Sequence, residues 1–222
     1  MQPYFTDAFV NFFEELEVNN HKEWFDAHRL TYEKEVKKPF AILVKDLIED
    51  IRQDEPYMTA EAKDCIFRIN RDIRFSKDKT PYKTQVSAHI SPLGRKDMGN
   101  PGLYLELTAK GVGIYGGVYM PEKEHLTDIR WHIVHHPENF KKAYTNANFV
   151  KVFGSIQGEK NKKLEAAFAE AAAQEPLIFN KQFYYHAQLP VSLITSSNLK
   201  AEILAAHNAA LPVREFLREA IL

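Results

Sequence analysis

FRINRDIRFSKDKTPYKT, residues 67–84, is the stretch in which the period of the chain changes. Phe67, Ile69, Ile73 and Phe75 alternate with Arg68, Asn70, Asp72 and Arg74, which predicts a strand with one apolar and one polar face, broken on the apolar side only by Arg71. Upstream the apolar residues recur at helical spacing instead. Thr6 is placed to cap a helix carrying Phe9, Phe12, Phe13 and Leu16, and Asn20 with Glu23 resembles a capping box for a second. Trp24, His28, Tyr32 and Val36 continue one face until Pro39 kinks or restarts the helix, and Phe40, Leu43, Leu47 and Ile51 extend it to Asp54.

Downstream, Val86, Ala88 and Ile90 predict a second strand over 84–91. Leu103, Leu105 and Leu107 predict a third, and a turn at Ala109-Lys110-Gly111 returns the chain as a fourth over 112–120. Helical spacing resumes with Leu126, Ile129 and Ile133, restarts at Pro137, and continues as an Ala-rich helix near Lys160 to Gln174. An extended passage is expected around Phe183 to His186. Two terminal helices follow, carrying Leu199, Ile203 and Leu204, then Pro212, Phe216, Leu217 and Ile221. The fold class expected is α+β, a central antiparallel sheet of about four strands flanked by N-terminal and C-terminal helices, in a single domain over 1–222.

The composition restricts what such a fold can do. In 222 residues, 45% hydrophobic and 27% charged, Lys+Arg 29 and Asp+Glu 30 nearly cancel, so no whole-chain field is available to wrap nucleic acid or coat an anionic membrane. Any anion site must be local. Residues 68–83 supply the local anomaly: Arg68, Arg71, Arg74, Lys77, Lys79 and Lys83 stand against only Asp72 and Asp78. On a strand, Arg68, Asn70, Asp72 and Arg74 would project from one face roughly 6.6 Å apart, a spacing that a phosphate or carboxylate can bridge through planar guanidinium donors. Ser76 to Tyr82 reads as a turn-rich loop whose lysines can close over such a group.

The run from Phe67 to Thr84 resembles the hallmark of the DUF2461 family, an Arg-Asp-x-Arg-Phe-Ser-Lys-Asp-Lys-Thr-Pro-Tyr-Lys core. Other pieces carry the same resemblance: Asn19 to Phe25, Tyr32-Glu33, Pro39-Phe40, Pro101 to Tyr104, Gly116 to Pro121, and Arg130 with Ile133. It covers Phe9 to about Tyr144 well. Beyond that, Lys163-Leu164-Glu165-Ala166-Ala167-Phe168 stands where many members have a Pro-Lys-Gly-Phe passage, and similarity returns at Phe183, Leu189-Pro190 and Pro212 to Leu222. The resemblance implies a compact bacterial α+β protein and supplies no activity, cofactor or catalytic residue.

Three readings of the segment stay open. The first is an oxyanion site, for a phosphate-bearing small molecule or nucleic acid, built from Arg68, Asn70, Arg71, Asp72, Arg74, Lys77, Lys79, Tyr82 and Lys83 with Arg130 from a following helix. The second is a hydrolase or transferase acting on a phosphorylated substrate, with Asp72 as general base, a role the neighbouring arginines oppose by favouring the carboxylate. The third is an ion-pair network that braces the fold or serves a protein partner.

Other patterns point to no chemistry. His132 and His136 have a spacing that zinc sites use, yet Ile133 stands where a metalloprotease needs Glu, and a helix end before Pro137 accounts for them. Thr195 to Asn198 is simplest as a helix cap, Gly111 to Gly117 lies in a strand pair and not at a dinucleotide loop, and no phosphate-binding Gly-x-x-x-x-Gly-Lys run occurs. No cofactor is expected. The lone Cys65 excludes an intrachain disulfide and suits a reducing compartment. With no leader-like start and no run of about 18 apolar residues, the expectation is a cytoplasmic protein without a membrane partner.

Overall fold

In a computed structural model, residues 2–97 and 99–221 are described. Four strands, β1 (Gln85–Ile90), β2 (Gly102–Thr108), β3 (Gly111–Val118) and β4 (Phe183–Pro190), form an antiparallel sheet in the order β1-β2-β3-β4. Helices precede and follow it in the chain: α1 (Asp7–Val18), α2 (Lys22–Ala27), α3 (Arg29–Thr31), α4 (Lys38–Asp54) and α5 (Ala62–Cys65) before β1; α6 (Lys123–His135), α7 (Pro137–Tyr144), α8 (Ala147–Phe153) and α9 (Ala169–Gln174) between β3 and β4; α10 (Leu199–Ala209) and α11 (Leu211–Glu219) at the end. The α+β class expected from the sequence is the one observed. None of the described helices is long and apolar enough to cross a membrane.

The described residues group into two compact units, each assembled from separated stretches. The first takes Met1–Arg95, Tyr104–Ile114 and Gln188–Leu204; the second takes Lys96–Leu103, Tyr115–Ala187 and Ala205–Leu222. In the first unit Phe9, Phe12, Phe13 and Leu16 of α1 and Phe40, Leu43, Leu47 and Ile51 of α4 are all buried, each large side chain contributing about 2–3 kcal/mol relative to exposure. Thr6 stands at the N-terminus of α1, but its hydroxyl donates to Glu35 instead of capping. Pro39 does restart the helix. The turns before it widen to a π-helix over Tyr32–Lys37, and the Lys38 N–H donates to Glu33, before α4 resumes with Pro39 in its first turn, where a missing N–H costs nothing. Asn20, expected to open α2, does not: His21 takes that place and its Nδ1 accepts from the Trp24 N–H.

The largest difference from the sequence reading falls on residues 67–75, which do not form a strand. Isolated antiparallel bridges occur at Ile66–Ala88 and Asn70–Tyr82, four steps apart on one side and six on the other, so the register cannot be kept between them. Beyond the second bridge the backbone turns on itself. Asp72 accepts from the Arg74 N–H and Asp78 from the Thr80 N–H, local bonds that compete with a ladder, and Ser76 N–H donates to Ile73. The alternation therefore orders nothing: Ile69 is buried while Phe75 is 96% exposed. The fourth strand comes instead from the extended passage expected near Phe183, which runs on to Pro190.

In the second unit Phe140 packs on Phe216 with ring centres 5.0 Å apart, and Phe149 lies edge-on to Tyr185 at 5.2 Å. Gly117 has φ +86°, and a Cβ there would lie 2.1 Å from the Phe183 carbonyl oxygen, so only glycine lets β3 lie this close to β4. The Ala-rich helix is shorter than expected. Lys160 pairs with Asn180 as an isolated bridge, Ala166–Phe168 is a 3-10 turn, and α9 begins only at Ala169. An additional short helix, α8, is capped by Asn146, which accepts from the N–H groups of Asn148 and Phe149.

Candidate functional site

Segment 66–83 lies wholly in the first unit, and its attachment is set by backbone pairing and one side chain. Phe67 N–H donates to Ser87, Lys83 N–H to Ile69 and Arg71 N–H to Pro81. Asn20 closes the base of the loop: its Nδ2 donates to the Tyr82 carbonyl at 2.9 Å, and its Oδ1 accepts from the Tyr82 N–H at 3.1 Å. Tyr82 itself is buried, its ring stacked on Phe25 at 4.0 Å, and burial raises its phenol pKa.

Most of the charges that suggested an anion site are used inside the loop. Asp72 holds Arg74 through two bonds, from Nε at 2.9 Å and Nη2 at 2.6 Å, and these lower its carboxyl to about 2, helped by the Arg74 N–H. Asp78, likewise held at about 2, accepts first from the Thr80 N–H and then from Arg71, whose Nη1 also reaches the Thr80 carbonyl at 3.1 Å. Lys79 Nζ donates to the Ile73 carbonyl at 2.9 Å. These groups are paired with one another within the loop. An Asp72 carboxylate this acidic and doubly bonded is also no general base near neutral pH.

Arg68, Lys77 and Lys83 remain. Among the described residues, none of the three makes a side-chain hydrogen bond or an ion pair. Lys83 is half-buried, with Nζ 5.2 Å from the centre of the Phe67 ring, and its pKa is lowered by burial and then by the positive charge of Arg68. Backbone pairing of Lys83 with Ile69 brings these two cations to neighbouring positions, and Glu106 offsets part of their repulsion. Asn70 contributes its backbone bridge to Tyr82 and leaves its side chain exposed. Arg130 is engaged elsewhere: 8% exposed, in the second unit, it donates from Nε to the Ile178 carbonyl and from Nη2 to the Asn180 carbonyl, both at 3.0 Å.

Glu106, on the polar side of β2, was not among the residues the segment pointed to. It is half-buried, accepts from Gln85 Nε2, and burial raises its carboxyl against the attraction of Lys83. Tyr104, two residues earlier on the same face, is also raised by burial, against hydrogen bonds from Ser87 and Gln85. The only signal for these residues in the sequence is the polar phase of two alternating strands, which every half-buried sheet shows.

The remaining sites are concave or titratable without converging chemistry. Cys65 is buried and its thiol is pushed up to about 11 by that burial, the opposite of an activated nucleophile. His132 sits 4.5 Å from the Phe216 ring and its pKa is lowered by burial, and no group of three or more His, Cys, Asp or Glu placed to hold a metal occurs among the described residues. A cavity of ≈ 440 Å³ in the second unit is lined by Ile156 to Lys160, Leu177, Asn180 and Tyr184.

A family model described as a conserved hypothetical protein, DUF2461, matches residues 8–216, through the last third where the resemblance read from motifs had weakened. No curated protein and no solved structure matches the chain.

Proposed function

The chain belongs to the DUF2461 family, and we propose that it is an anion-binding protein that takes a phosphate group at Arg68 and Lys83. One observation carries this reading. The Lys83 N–H donates to the Ile69 carbonyl at 2.8 Å, so backbone pairing sets Lys83 next to Arg68, and among the described residues neither side chain has a hydrogen bond or an ion pair. An oxyanion there would receive a charge-assisted hydrogen bond from each. Lys77, on the adjoining loop and equally uncommitted, is the third donor. Arg71, Asp72, Arg74, Lys79 and Tyr82 then serve as framework, and Arg130 has no part in the site. A bacterial, cytoplasmic setting belongs to the same proposal.

The test is a thermal-shift titration with inorganic phosphate, pyrophosphate and nucleotides at low salt. A ligand that binds only the folded state raises the melting temperature with concentration. Wild type is expected to rise, Arg68→Ala to lose the response, and Lys110→Ala, a surface cation of the same unit paired with Glu17, to keep it. A response shared equally by all three proteins counts against the site.

A second reading, a hydrolase or transferase on a phosphorylated substrate, is favoured by Glu106 in place of Asp72. A half-buried carboxyl raised in pKa, within electrostatic reach of a lysine whose pKa is lowered, brings an acid and a base closer in proton affinity than they are in water. Glu106→Gln that binds phosphate esters but no longer turns them over supports this reading; unchanged turnover rejects it.

A further inference from the structure

Phe75 contributes nothing to the folded core. It is 96% exposed, in the middle of the 71–80 loop. One exposed apolar side chain is unremarkable on a surface; what sets this one apart is how its backbone is held. Asp72 grips Arg74 on one side of it, Arg71 ties Asp78 and Thr80 on the other, Lys79 bonds back to the Ile73 carbonyl, and Ser76 N–H closes a turn onto the same oxygen. The loop is braced without using the ring. The Arg74 guanidinium lies 5.8 Å from the ring centre, so one cation is already at the phenyl.

The segment that carries the ring has an excess of positive charge. Both carboxylates of the segment are neutralised by Arg71 and Arg74, and Arg68, Lys77 and Lys83 are left over. Arg68 and Lys83 flank the base of the loop, just outside the Asn70–Tyr82 bridge, and Lys77 follows Phe75 by two positions. We infer that the loop is a stacking platform for single-stranded nucleic acid, on which Phe75 receives an unpaired base while Arg68, Lys77 and Lys83 receive phosphates. This rests on the oxyanion reading and narrows its ligand. An aromatic face is reached by a splayed base and not by one stacked in a duplex. An anionic membrane fits less well, because interfacial docking needs an apolar face of several side chains and Phe75 is flanked by Arg74 and Ser76.

The experiment is fluorescence anisotropy with a labelled deoxythymidine oligomer of about 12 nucleotides, inorganic polyphosphate as competitor, and phosphatidylserine-containing vesicles as a separate arm. Wild type should bind the oligomer with a slope of log K against log salt of about −2, the value for three phosphate contacts on a single strand. Phe75→Ala, which removes an exposed side chain and should keep the wild-type melting temperature, should weaken the oligomer about tenfold; Phe75→Trp should restore it; polyphosphate affinity should not change with either. A Phe75→Ala that leaves the oligomer unaffected overturns the inference, as does polyphosphate competing as tightly as the oligomer, or Phe75-dependent binding to vesicles alone. If phosphate and polyphosphate bind and Phe75→Ala is silent, only the stacking inference has failed; if neither phosphate nor oligomer binds, the oxyanion site itself has failed.

Discussion

Arg130 and Arg68 are the same residue type in two units of one chain, and their surroundings give them opposite uses. Arg130 is buried and donates to two carbonyl oxygens, that of Ile178 within a 3-10 turn and that of Asn180 just after it. Arg68 is exposed, touches no acceptor and stands beside Lys83. Between these extremes lie Arg71 and Arg74, each consumed by an aspartate within seven residues. A charge count cannot separate the three classes. What separates them is whether an acceptor lies within reach, and for Arg71 and Arg74 the acceptors come from the same loop.

Substitutions sharpen that comparison in order of size. Arg130→Ala should cost the most, about 3 kcal/mol, because two buried carbonyls lose their donor, and chemical denaturation should show it as a lower midpoint with no change in slope. Asn20→Ala removes both bonds to Tyr82 and should cost about 1–2 kcal/mol, with faster amide exchange confined to the 66–83 segment; exchange that rises throughout the chain would contradict a local clamp. Acid tests the loop more gently. Asp72 and Asp78 are lowered from 3.8 to about 2, so the stability they contribute is complete above about pH 4 and is lost as pH falls toward 2. Carboxyl resonances followed by NMR should titrate in that window, and Arg74→Ala should return Asp72 toward its ordinary value. The smallest effect on stability belongs to Arg68→Ala, which should leave the melting temperature unchanged or slightly raised, since it removes a repulsion.

These differences also explain which parts of the fold were legible in the sequence. α1 and α4 declare themselves because Phe9, Phe13 and Leu16, and Leu43, Leu47 and Ile51, recur at a period only a helix satisfies, and all are buried. The β2–β3 hairpin is equally plain from its alternation and turn. Residues 67–75 alternate as cleanly, but two aspartates that bond their own backbone and a mismatch in register decide the conformation, and neither is a property of periodicity. Asn20 looks like a cap because caps are local; its partner, Tyr82, is 62 positions away. The site was legible as a concentration of positive charge and no further. That Arg71, Arg74 and Lys79 are spent, that Arg68 and Lys83 are not, and that Glu106 lies within electrostatic range of Lys83 all depend on which loop atoms meet.

The central claim is that Arg68 and Lys83 form an unsatisfied cationic pair that an oxyanion completes. Isothermal titration of pyrophosphate into wild type and into Arg68→Ala, with the unliganded melting temperature measured for each, addresses it most directly. The account predicts saturable binding by wild type, loss of that binding in Arg68→Ala, and equal stability of the two proteins without ligand. Equal binding by both proteins, no binding by wild type, or an Arg68→Ala protein as destabilised as Arg130→Ala would contradict it and assign Arg68 to the framework.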